Sequence, residues 1–358
     1  MALPYVKINF ANGAIGGSEP MDDGVTLMVL GGSGDDMEVM NLTDYRRQIG
    51  NDTENAKVVA FYNEVGGNSR LIVTHCALTD VALKAKLGEY HGEVRTVVID
   101  GVSSAETINL LQNIAEWSTN TLYAPVLMLI GVTEALIDGT ASFKTLEKNR
   151  ISAVDSVADT DGTPLLYYVA GRLASIPVQR SAGRVKDGAI YATALETSDG
   201  DLVDNIYAEG RHSKGLVTAR TYTGKSGYYF SDDLMCAPAT DDYALIPRRR
   251  TIDKAYRIAY QTLVNYVNDE IPTTDGGGIP TDTCKGIENS VERAIYAQMT
   301  TNGNLGIDPS NPNDRGVTCY VDPSQDVVST SRLDITLKVK PYGYAKYIEV
   351  NLGFSTEA

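Results

Sequence analysis

Few residue groups in this 358-residue chain have types and spacing that could do chemistry. The stretch ARTYTGKS, residues 219–226, fits a permissive phosphate-loop pattern, with Lys225 placed to meet a phosphate and Ala219 where the first glycine belongs. Such a loop needs a strand before it and a helix after it, because the helix start aims free N–H groups at the phosphate. The sequel here, GYYFSDD, favours extended chain, so the stretch reads as a surface turn. The run GGSG at Gly31–Gly34 follows an apolar stretch, but Met37 stands where the last glycine of a dinucleotide loop should fall. A tight turn with positive φ accounts for those glycines.

The remaining reactive residues are scattered. His75, His91 and His212 have no metal-ligand spacing. His75 and Cys76 are neighbours in an expected strand, so their side chains point to opposite faces and make a poor catalytic pair. Cys76, Cys236, Cys284 and Cys319 lie far apart, with neither zinc spacing nor a disulfide framework, and read as reduced thiols. Paired aspartates at 22–23, 35–36, 232–233 and 241–242 suit turns and caps. No GxSxG occurs. No metal or cofactor is therefore expected.

One cluster departs from the chain's overall balance. Formal net charge is −15 and the pI about 4.7, which argues against nucleic acid as a direct partner. Yet Arg248, Arg249, Arg250, Lys254 and Arg257 place five cations within ten residues. They fall at the expected start of a helix, where cations oppose the dipole. Either local salt bridges or an acidic partner would explain them.

The elements that must position these groups follow from periodicity. From about 25 to 180 apolar strands alternate with amphipathic helices: VTLMVLGG, SRLIVTHCAL, EVRTVVIDG, PVLMLIGV and RISAVDSVAD are strands. Helices are expected at LTDYRRQIG, with Thr43 or Asp44 as cap, and at AKVVAFYNEVGG. A third follows a capping box of Ser103 and Glu106, and TEALIDGTASFKTLEKN and TPLLYYVAGRLASI complete the set. This pattern predicts a largely parallel sheet in an α/β layer. Residues 188–235 read as strands and loops, 251–270 as a long helix, KGIENSVERAIYAQMTTNGN as another, and VTCYVD as a strand.

Both ends alternate with period two. Val6, Ile8 and Phe10 share one face, as do Leu333, Ile335, Leu337 and Val339, and then Ile348, Val350, Leu352 and Phe354. KPYGY separates the last two runs. No segment reaches the ~20 apolar residues of a membrane span, the longest apolar run being 124–132. No signal peptide is visible, so synthesis in a reducing cytoplasm is expected.

In order along the chain, several stretches resemble the sheath proteins of contractile phage tails and related injection machines. These are VTLMVLGGSGDDMEVMNLTDYRRQIG, YYVAGRLASIPVQRSAGRVKDG, GYYFSDDLMCAPATDDYALIPRRRTIDKAYRIAYQTLVNYV and LDITLKVKPYGYAKYIEVNLGF. The resemblance implies an α/β fold, α+β overall, in four parts. They are an N-arm and linker (1–24), an α/β domain (25–187), a core assembly domain (188–340) and a linker with a C-arm (341–358). It implies no enzyme activity. It implies a helical homopolymer of six-fold rings around an inner tail tube, bounded by baseplate and tail terminator, without direct nucleic acid or membrane insertion. The place would be a virion tail assembled in the host cytoplasm. On this likeness Val6, Ile8 and Phe10 form a donated N-arm, and Ile348, Val350, Leu352 and Phe354 a donated C-arm. Leu333, Ile335, Leu337 and Val339 belong to the receiving sheet, and the cluster from Arg248 to Arg257 is a candidate for facing the tube. A nucleotide-binding α/β enzyme using Gly31–Gly34 or Lys225, or a tube or baseplate protein, are the alternatives.

Overall fold

The computed structural model describes residues 22–32, 34–90 and 92–354; the expected N-arm, with Val6, Ile8 and Phe10, lies outside them, as does His91. Contacts divide the chain into two compact units, Met1–Asp253 and Lys254–Ala358. The boundary expected at 187/188 falls inside the first unit. Ile190, Leu195, Val203, Val217, Phe230 and Ile246 pack into the same buried cluster as the strands before them.

The first unit opens with β1 (Thr26–Leu30), β2 (Met37–Val39), α1 (Leu42–Ile49), α2 (Ala56–Val65), β3 (Leu71–His75) and α3 (Asp80–Glu89). It continues through β4 (Thr96–Val102), α4 (Ala105–Thr121), β5 (Leu127–Val132), α5 (Glu134–Gly139), β6 (Ile151–Val154), β7 (Ala158–Asp159) and α6 (Leu165–Ser175). Then come β8 (Leu195–Glu196), α7 (Asn205–Lys214), β9 (Ala219–Arg220), β10 (Tyr229–Phe230) and α8 (Ile246–Leu263). Six strands form one sheet in the order β2-β3-β1-β4-β5-β6, parallel except for the β2 edge. The period of two sends Met28 and Leu30 of β1 to one buried cluster, with α2 and α6, and Leu27 and Val29 to the other, with α3 and α4. Helices thus cover both faces, as near-continuous apolar strands require.

Helix α6 is buried along Leu165–Ala174. Its tightest approach is at Gly171, where an added Cβ would sit 2.4 Å from the Phe61 carbonyl oxygen of α2. Only glycine lets the two helices meet this closely. The helix carries Arg172 inward, paired with the buried Glu64 carboxylate, whose other oxygen accepts from the Tyr191 N–H at 2.8 Å.

Several local readings shift. The α4 cap is Ser104, whose Oγ accepts from the Thr107 N–H at 3.2 Å, not Ser103 with Glu106. The α1 cap is Asn41 rather than Thr43 or Asp44. Helices α3 and α7 occupy stretches that had no helical expectation, and α8 begins at Ile246, so the triple arginine lies within the helix.

The second unit holds the remainder of α8, then α9 (Thr281–Ile295), β11 (Val317–Val321), α10 (Val327–Thr330) and β12 (Ile335–Val339). Ile287, Val291 and Ile295 recur on one face of α9 and are buried. One core cluster joins Val291, Ile295, Met299, Val317 and Cys319 to Ala255, Ile258 and Ala259. A five-residue π-helical segment, Tyr296–Thr300, extends α9 and turns Met299 inward.

Candidate functional site at an open sheet edge

The chemistry-bearing candidates do not converge. Lys225 sits on an exposed turn between β9 and β10, with Gly224 and Gly227 at positive φ and no helix after it. The Gly31–Gly32 turn leads to the antiparallel strand β2 instead of a helix start. Neither loop can cradle a phosphate as the nucleotide reading required. Among the described residues no three His, Cys, Asp or Glu side chains gather to hold a metal ion. Cys236, Cys284 and Cys319 are buried free thiols and Cys76 is half-buried. Burial pushes the Cys236 thiol up to about 12, which leaves it protonated and unreactive at neutral pH.

The arginine cluster resolves into two kinds of residue. Arg249 and Arg250 are buried, so the expectation that they face a partner is corrected. An Arg249 Nη donates to Asp253 Oδ1 at 2.7 Å, and Asp253 also accepts from both Nη atoms of Arg150, at 3.2 and 3.3 Å. Arg250 donates to the carbonyls of Leu173 (2.8 Å), Ile176 (3.3 Å) and Asp23 (3.3 Å). Two of these carbonyls lie at the end of α6, where a cation complements the helix dipole. The unfavourable position at the start of α8 is thus offset by neighbours that periodicity cannot reveal. Arg248, in the first unit, and Lys254 and Arg257, in the second, are half-buried.

The second unit carries the geometry that points to a site. Strands β11 and β12 pair antiparallel, with Val317 opposite Val339 and Val321 opposite Ile335. Lys340 N–H donates to the Gly316 carbonyl at 2.8 Å, which fixes the phase of the ladder. The N–H groups of Thr318, Tyr320, Thr336 and Lys338 therefore point into the pair, and those of alternate residues point out of it.

The two outer edges differ. On β11, the Cys319 N–H donates to Glu292 Oε1 at 2.9 Å and the Val321 N–H to Glu288 Oε1 at 3.0 Å. The two glutamates are i and i+4 on α9 and so step about 6 Å along the helix, close to the ~6.8 Å between alternate residues of a strand. One ridge of a helix thus covers one strand edge. Lys285 donates to the second oxygen of the buried Glu288 at 2.5 Å, and these donors hold its carboxyl below the usual range against the cost of burial. On β12, no strand and no side chain meets the outward N–H groups of Ile335, Leu337 and Val339 among the described residues.

The packing is just as asymmetric. Inward residues of β11 are buried, with Val321 at 1% exposure, whereas Leu333, Ile335, Leu337 and Val339 are only partly buried. The apolar layer stops short at β12, as it would if one more strand belonged there.

The chain after β12 has the complementary pattern. Lys340 is held by three bonds: its N–H to Gly316, its carbonyl accepting from the Gly306 N–H at 2.8 Å, and its ammonium to Asp314 Oδ2 at 2.8 Å. Beyond it, Tyr347–Phe354 makes no backbone hydrogen bond to any described residue. Ile348, Val350, Leu352 and Phe354 are exposed, Leu352 at 95%. Burying such a row in its own chain would be the ordinary outcome for alternating apolar residues.

This pair of complementary features sits in a fold that is shared with the sheath subunits of contractile machines. The chain matches the sheath in the contracted PVC extracellular contractile injection system with a TM-score of 0.67 at 13% identity, covering 100% of this chain and 99% of that one. A chain of the six-fold symmetrised anti-feeding prophage baseplate gives 0.65 at 14% identity, covering 99% and 100%. The sheath tail protein of Desulfitobacterium hafniense gives 0.56 at 11% identity, covering 93% and 99%. The chain belongs to the DUF2586 family: the model of its N-terminal domain matches residues 3–234 and that of its C-terminal domain residues 242–358. No curated protein matches.

Proposed function

We propose that this chain is the structural subunit of a contractile sheath and has no catalytic role. Copies polymerise as stacked rings around an inner tube, and the polymer shortens and widens to drive the tube through a target envelope. The observation that carries this reading is the match over the whole chain to a sheath captured in its contracted state. Six-fold rings, with the baseplate as a neighbour at one end, are part of this reading, and the likeness to a chain of the six-fold symmetrised anti-feeding prophage baseplate supports them. A terminator at the other end, and assembly in a host cytoplasm before the particle is complete, belong to the same reading.

Copies are linked by strand addition, in which main-chain bonds supply affinity and alternating side chains set register. Val6, Ile8 and Phe10 are one donated strand and Ile348, Val350, Leu352 and Phe354 the other. Leu333, Ile335, Leu337 and Val339 line the sheet that receives them. Residues 11–21 and 341–344 act as hinges that let the bodies move while the donated strands stay paired, the kind of bistable repacking that switching assemblies use; Asp23 and Gly24, expected in the first linker, are instead packed against α6 and held by Arg250. Negative-stain imaging of the purified full chain tests this: wide, transversely striated tubes are expected. Narrow smooth tubes, or a protein that stays monomeric under all assembly conditions, would overturn it.

A further inference from the structure

We propose, resting on the sheath reading, that Glu288 and Glu292 close the β11 edge to incoming chain, so that a neighbouring copy's residues 347–354 add beside β12 alone. The occupant is a second copy because the same chain supplies both halves of the contact. It has an open edge on β12 and an exposed alternating segment of matching length and apolar character.

The two edges differ in what an arriving strand would have to displace. At β12 the outward N–H groups meet no described partner, and pairing adds bonds without breaking any within the protein. At β11 an arriving carbonyl must evict Glu292 from the Cys319 N–H and Glu288 from the Val321 N–H. Eviction of Glu288 would take the Val321 N–H from a carboxylate that is 5% exposed and leave it Lys285 alone, and a buried charge that loses a donor is destabilised. Side packing agrees with the edge preference. With Ile348, Val350, Leu352 and Phe354 turned inward, a strand beside β12 continues the row of Ile335, Leu337 and Val339 and completes their burial. It also leaves Glu349 and Asn351 on the same outer face as Thr336 and Lys338. The resulting order is β11, β12, then the donated segment, and any second donated strand lies beyond that one. Natural sheets commonly protect one edge by covering or charging it; here the protection also selects the direction of growth.

Cross-linking of assembled tubes tests this. Neighbouring strands lie about 4.8 Å apart, so outward positions on adjacent strands are within the ~7 Å Cα limit for a disulfide, and positions two strands apart are not. Glu349→Cys and Asn351→Cys are each combined with Thr336→Cys or Lys338→Cys on β12, or with Thr318→Cys or Tyr320→Cys on β11. The unsubstituted chain, with its native thiols, sets the baseline. Dimer-sized bands are expected on mild oxidation with the β12 partners and not with the β11 partners. Tubes that cross-link through β11, or through neither strand, would overturn the one-sided edge while leaving the sheath reading intact. Failure of every full-length form to make tubes would take both away. In a Glu288→Ala/Glu292→Ala background the β11 cross-links should rise severalfold, with Glu292→Ala alone as the milder version if the pair prevents folding. An unchanged pattern would show that the carboxylates are not what guards the edge.

Discussion

Asp253 illustrates how much of the first unit's stability rests on single polar side chains. Its carboxylate accepts from Arg150 and Arg249, and all three residues are below 9% exposure. Removing it leaves two buried guanidiniums facing each other. A loss of about 3–5 kcal/mol is the usual consequence of breaking a buried charge network, so Asp253→Ala should lower the denaturant midpoint sharply, measured by circular dichroism. Asp314 is a surface counterpart with a pH signature. The Lys340 ammonium and the N–H groups of Gly316 and Asp308 hold its carboxyl down to about 2 from an ordinary 3.8. A depressed folded value means the clamp's contribution is fully present above pH ~4 and is lost as pH falls through about 2. Carbon-detected titration of the carboxyl should locate that midpoint, and Asp314→Asn should abolish the pH dependence of the Gly316 amide shift, whose N–H donates to Asp314 Oδ1, in this window. A midpoint near 3.8 would show that the clamp does not form in solution.

Helices α2 and α6 show what an element demands of one position. Gly171→Ala gains about 1 kcal/mol of helix propensity, but its Cβ would meet the Phe61 carbonyl oxygen at 2.4 Å, a backbone atom with no freedom to yield. Overpacking of this kind costs about 1–3 kcal/mol, so the melting temperature should fall despite the better helix former. The sequence carries the strongly periodic elements plainly: β1, β4 and β5 are apolar runs, and α9 shows Ile287, Val291 and Ile295 at helical spacing. Helix α3 turns only Leu83 and Leu87 inward, and α7 only Ala208, so neither has an apolar stripe to reveal it. The cap signals were there, in Thr79 before α3 and in Asp204 and Gly215 around α7. At the candidate site, the alternation of Leu333–Val339 and Ile348–Phe354 was legible. The guard formed by Glu288 and Glu292 was not, because it depends on which strand the charged ridge of α9 lies against.

At the scale of the molecule, the proposed donor and acceptor functions reside in different parts of one chain, and they can be separated. A chain lacking residues 345–358 keeps the β12 edge but has no C-arm to give. It should fold and melt as the full chain does, yet form no tubes alone. Mixed with full-length protein at low fraction, it should shorten the tubes in proportion to its share, measured as a length distribution by electron microscopy. Tubes of unchanged length at equal amounts would overturn the C-arm as a link. The open β12 edge has a kinetic consequence as well. Six residues, 341–346, separate Lys340 from the arm and would allow a loop back, yet Tyr347–Phe354 makes no backbone hydrogen bond to its own β12. On the strand-addition reading, filling the edge is then an encounter between molecules instead of a unimolecular event. In the proposed sheath, growth would then scale with subunit concentration and stop on dilution, giving the assembly a threshold below which subunits stay apart.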